Sequence, residues 1–335
     1  MKHIIIGGDG FVGTQLAASL AKQGEEVVIA DIARGAARHN DTLPHCWFDV
    51  TAPVTFKSVD IKPDDVVYNL SARMLSPIMP RAKRREFFWP VNHDGVRNIL
   101  NWMEKHGATR LVHFTTDMVY GHTHEVPTRE DAPAVPLGEY GLSKLESEKI
   151  CEEFRAKGFS ISIFRPRLII GPGRLGILSK LFKLIDLNLP VPMIGSGKNP
   201  YQFISVFDCA SACEAAWRAG FPNKAYNLGS DTPPPVKVLL RDLIREAGSK
   251  SFLLPTPAPL VKLALTSLDL VNLPLMDPEQ YLIADEICIL DTSAALNDLG
   301  WKPLHRDEDM LKAAYREYRA GLARPHSQTL PVAAE

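Results

Sequence analysis

The chain has 335 residues, enough for one large core or a domain with an appended lobe. Lys and Arg number 38 against 39 Asp and Glu, so the net charge of −1 gives no overall pull toward nucleic acid or acidic lipid. Five cysteines without framework spacing point to reduced thiols and the cytoplasm, and the short apolar start lacks the basic region of a signal peptide.

The first thirty-one residues carry the clearest pattern. His3 to Ile6 reads as a short buried strand, followed by Gly7, Gly8, Asp9, Gly10, Phe11, Val12 and Gly13. A helix with Val12, Leu16 and Leu20 on one face comes next, then a strand from Val27 that ends at Asp31. Strand, glycine turn, helix, strand and acid is the order a dinucleotide site requires. Gly7 permits the tight turn, Gly10 lets the backbone approach a pyrophosphate, and Gly13 lets the helix pack closely. The helix N-terminus then offers unpaired N–H groups to the phosphates, with Phe11 and Val12 in its first turn. Asp31 is placed to accept from both ribose hydroxyls and to repel a 2′-phosphate, which selects NAD over NADP. Arg34 is the one nearby residue that would tolerate that phosphate.

A second pattern lies at Tyr140, Gly141, Leu142, Ser143 and Lys144. On a helix, a gap of four places the phenol and the ammonium on one face. A phenol ordinarily ionises near pH ~10. A neighbouring ammonium and an oxidised nicotinamide would both favour the phenolate, which can then take a proton from a substrate hydroxyl. Tyr and Lys fall four apart by accident on many solvated helices. The pair gains its meaning from the glycine turn at the other end of the chain.

Together these motifs resemble the extended short-chain dehydrogenase/reductase family, the group of NAD-dependent epimerases and dehydratases, over roughly residues 1–230. The resemblance implies roles for further segments. Asp49 and Val50 are similar to the pair that holds adenine. Leu70, Ser71 and Ala72 resemble the small-residue turn along the cofactor, and Asn92 the residue that opens the helix behind the active site. Thr115, Thr116, Asp117 and Met118 resemble the Ser/Thr strand end, with Thr116 as the catalytic hydroxyl and Asp117 beside it. Arg165 and Pro166 resemble the turn toward the substrate lobe. Arg73, Met118, Arg167 and Tyr201 fall on the substrate side. Phe203 to Asp208, Tyr226 to Gly229 and the Leu299-Gly300-Trp301 turn complete the series.

The resemblance implies an α/β fold, a Rossmann-type doubly wound parallel sheet with a smaller mixed α/β C-terminal lobe. Strands are expected near 26–31, 46–50, 65–70, 110–115 and 160–165, with helices at 93–106, 139–157 and 175–190 and another from Asp208. Residues 1–170 would bind NAD, with segments around 201–229 returning to that domain. Residues 171–321 would form the substrate lobe, and 322–335, which lack periodicity, a mobile tail. Relatives pair two helices across a dimer, so a homodimer is expected.

The resemblance also implies chemistry: oxidation of a secondary hydroxyl through a transient ketone. Elimination of water would need a carboxylate where Met118 stands, and a thioether cannot take a proton from carbon. A nucleotide-sugar epimerase with a transient 4-keto intermediate is therefore the first reading. A dehydrogenase of an apolar alcohol, similar to the 3β-hydroxysteroid enzymes, is the second, suggested by the Leu- and Pro-rich segment 253–276, which is either core of the lobe or a lid. An NAD(H)-sensing protein without catalysis is the third. Tyr201 replaces the Arg that sugar-nucleotide enzymes carry before the Phe-Ile-x-Val strand. Arg165, Arg167, Arg174 and Lys198 are the substitutes, Arg167 the best placed.

The remaining clusters read as structure. Arg81, Lys83, Arg84 and Arg85 form a basic stretch entering a helix, read as solvated, with a phosphate-holding role at the substrate mouth, implied by the resemblance, as the alternative. Cys209 and Cys213 are four apart without a partner set and read as buried thiols, and His122 and His124 lack a third ligand, so no metal is expected. No stretch is long and apolar enough for a membrane span.

Overall fold

The computed structural model describes residues 1–32, 42–173, 176 and 178–323. Arg34, Arg174 and residues 324–335 lie outside the described residues. Strand and helix alternate from the start: β1 (Lys2–Ile6), α1 (Phe11–Lys22), β2 (Glu26–Asp31), β3 (His45–Trp47) and β4 (Val66–Asn69). Then come α2 (Arg84–Trp89), α3 (Gly95–Lys105), β5 (Arg110–Phe114), α4 (Glu139–Arg155), β6 (Ser160–Pro166) and β7 (Leu168–Ile170). The remainder is α5 (Leu178–Asp186), β8 (Val191–Ile194), β9 (Phe203–Ser205), α6 (Val206–Arg218), β10 (Ala225–Leu228), α7 (Val236–Glu246), β11 (Leu253–Thr256), α8 (Ala258–Leu270), α9 (Pro278–Tyr281), α10 (Ser293–Leu299) and α11 (Asp307–Ala323).

Seven strands form one wholly parallel sheet in the order β10-β6-β5-β4-β1-β2-β3. Successive side chains of a strand face opposite sides, and β1 shows the consequence. Ile5 packs with Leu16 and Leu20 of α1 and Cys209 and Cys213 of α6. Ile4 and Ile6 pack on the other face with Val96, Ile99 and Leu100 of α3 and Ile150 and Phe154 of α4. Both faces are thus covered, which is why these strands are apolar throughout. A separate apolar cluster joins Phe182 of α5, Leu239 and Leu243 of α7 and Leu311 and Tyr315 of α11. Two small parallel pairs, β8 with β11 and β7 with β9, complete the architecture.

Several boundaries differ from the sequence expectation for local reasons. β3 stops at Trp47 instead of running to 50. Asp49 accepts hydrogen bonds from the Thr51 N–H and hydroxyl, both at 2.8 Å, and turns the chain. α3 begins at Gly95, because residues 90–94 form a wider π turn starting at Pro90. α6 begins at Val206, ahead of Asp208, since Ser205 caps it by accepting the Phe207 N–H at 3.2 Å. Asp208 instead clamps the C-terminal turn. It accepts the Leu304 and His305 N–H groups at 3.1 Å each, and its carbonyl receives the Trp301 indole N–H at 3.2 Å. The expected helix over 175–190 is the shorter α5. Segment 253–276 forms β11 and α8; Ala258 and Asp269 are buried, and six of its apolar side chains are more than half exposed.

Candidate active site

The carboxyl ends of the sheet strands gather most of the expected residues on one edge. Gly7 follows β1, Asp31 ends β2, Leu70 to Ala72 follow β4, and Thr115 and Thr116 follow β5. Gly7 has φ +77°, and a Cβ there would lie 2.9 Å from the Leu70 and Ser71 backbone. The two turns therefore touch only because Gly7 has no side chain. At Gly13 a Cβ would fall 2.3 Å from the Gly7 carbonyl oxygen, so the first turn of α1 packs directly on the glycine loop. Gly10 is the N-cap of α1 and supplies no side-chain cap. The Asp31 carboxylate accepts the Asp9 N–H at 3.0 Å and the Ile32 N–H at 2.7 Å, which fixes it at the strand end.

Tyr140 and Lys144 lie one turn apart on α4, 3% and 2% exposed. The Lys144 ammonium donates to the Phe114 carbonyl at 3.0 Å. Burial lowers its pKa to about 8, with Glu148 acting in the opposite sense. Tyr140 packs against Phe88 at 5.5 Å between ring centres, in an apolar cluster with Met118, Ile283 and Cys288, and its hydroxyl donates to Met74 Sδ at 3.6 Å. Thr116 is extended, and its Oγ1 accepts the Met118 N–H at 3.2 Å and lies 3.3 Å from Asp117 Oδ1. Asp117 is ion-paired with Arg167, both buried. Burial opposes the charge on Arg167, but Asp117, Tyr201 and Cys288 together more than offset it, so the guanidinium pKa is raised. Arg167 also stacks over the Tyr201 ring at 4.6 Å, and its Nη2 has no hydrogen-bond partner among the described residues.

Other expected residues are committed to neighbours. Asn92 accepts the Arg73 N–H at 2.8 Å and donates to the Arg73 carbonyl and to Ser143 Oγ, so it braces the 72–74 loop against α4. The Arg73 guanidinium stacks over Phe87 at 5.2 Å. Thr115 donates to Glu148 at 2.7 Å. Arg165 makes two bonds to Glu148 and one to the Tyr120 hydroxyl, an internal cross-brace where β6 ends at Pro166. Val50 packs on Gly95, where a Cβ would sit 2.7 Å from Val50 Cγ2.

The sequence reading missed the group that holds the catalytic helix in place. Glu279, 139 residues away, accepts the Tyr140 N–H at 2.9 Å and the Gly141 N–H at 2.8 Å. Gly138 and Gly141 make room for it, since a Cβ at either would lie 2.6 Å from a Glu279 oxygen. Burial and the nearby Asp277 push its pKa up to about 8. Arg84 leaves the expected solvated stretch and lies buried between Asp269, 3.0 Å from Nη1, and Asp277, 3.2 Å from Nε. Asp277 before Pro278 is a readable helix start, but no local signal says what Glu279 reaches. His113, also missed, is fully buried between Asn69 at 3.2 Å and Ser147 at 3.0 Å. Burial and Lys144 hold its pKa well below the usual value, so it is a neutral structural link. His122 pairs with Glu286 at 2.6 Å.

Comparison with known proteins fits this geometry. The sequence profile of the NAD dependent epimerase/dehydratase family matches residues 3–229. The uncharacterized protein y4nG of Sinorhizobium fredii is 29% identical, covering 96% of this chain and 79% of its own length. UDP-glucose 4-epimerase of Streptococcus mutans is 26% identical, covering 94% and 95%. The crystal structure of UDP-glucose 4-epimerase with UDP-glucose from Thermotoga maritima superposes with a TM-score of 0.76 at 22% identity, covering 96% of this chain and all of that one.

Proposed function

The chain belongs to the NAD dependent epimerase/dehydratase family, and on that premise we propose that it is a nucleotide-sugar 4-epimerase. The observation that carries the reading is the buried Tyr140–Lys144 pair, with Lys144 on the Phe114 carbonyl at the end of the strand that leads to Thr116, and with Met118 packed near Tyr140 in place of a carboxylate. The glycine cradle fits NAD. Side chains at Gly7 and Gly13 would fill it, and the uncapped N-terminus of α1 is suited to a pyrophosphate. Gly7, Gly10, Phe11, Val12 and Gly13 would hold the phosphates and Asp31 the ribose hydroxyls. Asp49, Val50 and Leu70 to Ala72 would border the adenosine half. When bound, NAD supplies the hydride acceptor and then the hydride donor.

This chain's own residues move the proton and fix the geometry. Tyr140 Oη, held as the phenolate by the Lys144 ammonium, takes the proton of the sugar 4-hydroxyl and becomes the neutral phenol. Thr116 Oγ1 hydrogen-bonds the same substrate oxygen and orients the carbinol carbon. The 4-ketone turns over in the cleft; as hydride returns to the other face of C4, Tyr140 gives the proton back to the oxygen, and C4 has the opposite configuration. Arg167 Nη2, without a hydrogen-bond partner among the described residues and beside the Tyr201 ring, supplies a donor for a substrate oxygen, and Arg73 is a further proposed contact. A dehydratase would require a base at position 118, which the chain lacks. A dehydrogenase of an apolar alcohol would use segment 253–276 as a closed cover, and its exposed leucines do not form one.

The division into a cofactor part, residues 1–170 with 201–229, and a substrate part over 171–321 follows from this reading. A cytoplasmic homodimer paired through α3 and α4 is proposed from the likeness to relatives, and five free thiols accord with a reducing compartment. The test is native mass spectrometry for retained NAD, then incubation with UDP-, GDP- and dTDP-sugars and resolution of the 4-epimers by NMR. Conversion of a nucleotide sugar without net NADH is expected. Stoichiometric NADH release, or no conversion across the panel, would overturn the proposal.

A further inference from the structure

Overall charge is balanced, but one face is not. Leu260, Leu263, Leu270 and Val271 on and just after α8, with Leu273 and Leu275 beyond, are each 58–65% exposed. The first four recur at helical spacing on one side. Contiguous apolar exposure of this kind marks an interaction surface. From Ser249 to Met276 the sole carboxylate is Asp269, and it is buried against Arg84. The basic stretch lies directly beside this face. The Ala82 N–H donates to Asn272 Oδ1 at 3.1 Å, which sets the exposed Arg81 and Lys83 along the edge of the leucines. Neither forms an ion pair among the described residues, and Arg85 next to them is exposed over Trp89.

We propose that this face docks the protein on the surface of an anionic lipid bilayer, the leucines of α8 and 270–275 entering the headgroup boundary and Arg81 and Lys83 meeting lipid phosphates. An apolar helix face whose one carboxylate, Asp269, is buried, with the exposed cations Arg81 and Lys83 on its border, is the pattern of an in-plane interfacial helix. No described helix is long and apolar enough to cross, so the contact lies in the plane of the interface. A second copy of the chain fits less well. A symmetric contact through the same face would bring Arg81 and Lys83 of both copies together while the one carboxylate of segment 249–276, Asp269, stays buried on Arg84; Glu86 is the one exposed acid on the neighbouring helix. The docked face is also close to the reaction site in the chain. α2, which opens at Arg84, carries Phe88, and that ring packs on Tyr140.

The test is flotation of the full chain with vesicles of phosphatidylcholine alone and of phosphatidylcholine with phosphatidylglycerol. The variants are Leu260→Asp with Leu263→Asp, and Arg81→Glu with Lys83→Glu. Wild-type protein is expected to float with the anionic vesicles, and each double variant to lose about tenfold or more of the bound fraction. The circular-dichroism spectrum and the epimerase rate on soluble substrate should not change. Raising salt to about 0.5 M should weaken binding of the wild type. Failure of wild-type protein to float overturns the proposal. So does failure to float combined with a leucine variant that splits an oligomer in light scattering, which would assign the face to a second copy.

Discussion

Two helices of this protein begin at a glycine that supplies no cap, and they are used in opposite ways. At α1, Gly10 leaves the N-terminus open above the glycine loop, and a Cβ there would meet only the Gly7 backbone. At α4, Gly138 is likewise without a side-chain cap, but Glu279 fills the place from 139 residues away and takes the Tyr140 and Gly141 N–H groups. Both termini carry the same partial positive charge. One is left for the anion of a ligand, and the other is occupied by the protein's own carboxyl group. The helix that carries Tyr140, the proposed base, is thereby fixed by the part of the chain that follows the sheet. The proposed cofactor loop is built from contacts local in sequence, and the position of Tyr140 is not.

The largest expected effect lies on the second helix. Tyr140→Phe removes the proton-transfer group and should lower kcat by about 10²–10⁴-fold, with NAD retained as in wild type by native mass spectrometry. Loss of NAD in this variant would mean that the two helices are not separable in function. Next is the cross-brace behind Glu279. Arg84→Ala leaves Asp269 and Asp277 buried without their cation, and denaturant unfolding should show a loss of about 3–5 kcal/mol. On the first helix, Gly13→Ala forces the loop from α1 and should cost about 1–3 kcal/mol. It should also abolish retained NAD while leaving the fold of the C-terminal part intact.

The smallest effect sharpens the comparison through pH. The Glu279 carboxyl keeps its proton up to about 8 in the folded chain, against an ordinary value near 4.5 when unfolded. Between these values the folded state binds the extra proton, so stability falls as pH rises and levels off above about 8. Glu279→Gln should flatten that part of the Tm–pH profile while keeping an acceptor for one N–H of α4. An unchanged profile would show that Glu279 is ionised throughout, as an anion at this terminus would be.

What the sequence revealed follows the same division. Gly7, Gly10, Gly13 and Asp31 were legible because strand, turn, helix and acid are contiguous and each glycine answers a local steric demand. Tyr140 and Lys144 were legible as a spacing, and Gly141 between them only as a helix residue. Its reason, contact with Glu279 and the Met118 carbonyl, is long-range. Arg84 read as one of several solvated cations because its partners, Asp269 and Asp277, stand 185 and 193 positions on, the second by subtraction of the residue numbers. Arg165 read as a cofactor neighbour, and its guanidinium is committed to Glu148 and Tyr120. Leucines 260 to 275 read as core or lid because composition alone does not say which side of a helix lacks a neighbour.

The most direct measurement follows the hydrogen at the reacting carbon. The nucleotide sugar converted in the panel, carrying deuterium at C4, is incubated with the protein, and product and remaining substrate are examined by NMR and mass spectrometry. If the phenol of Tyr140 exchanges only the hydroxyl proton while hydride leaves and returns within one bound complex, the 4-epimer forms with its deuterium retained. Deuterium lost to solvent, or recovered in released NADH, would contradict the account.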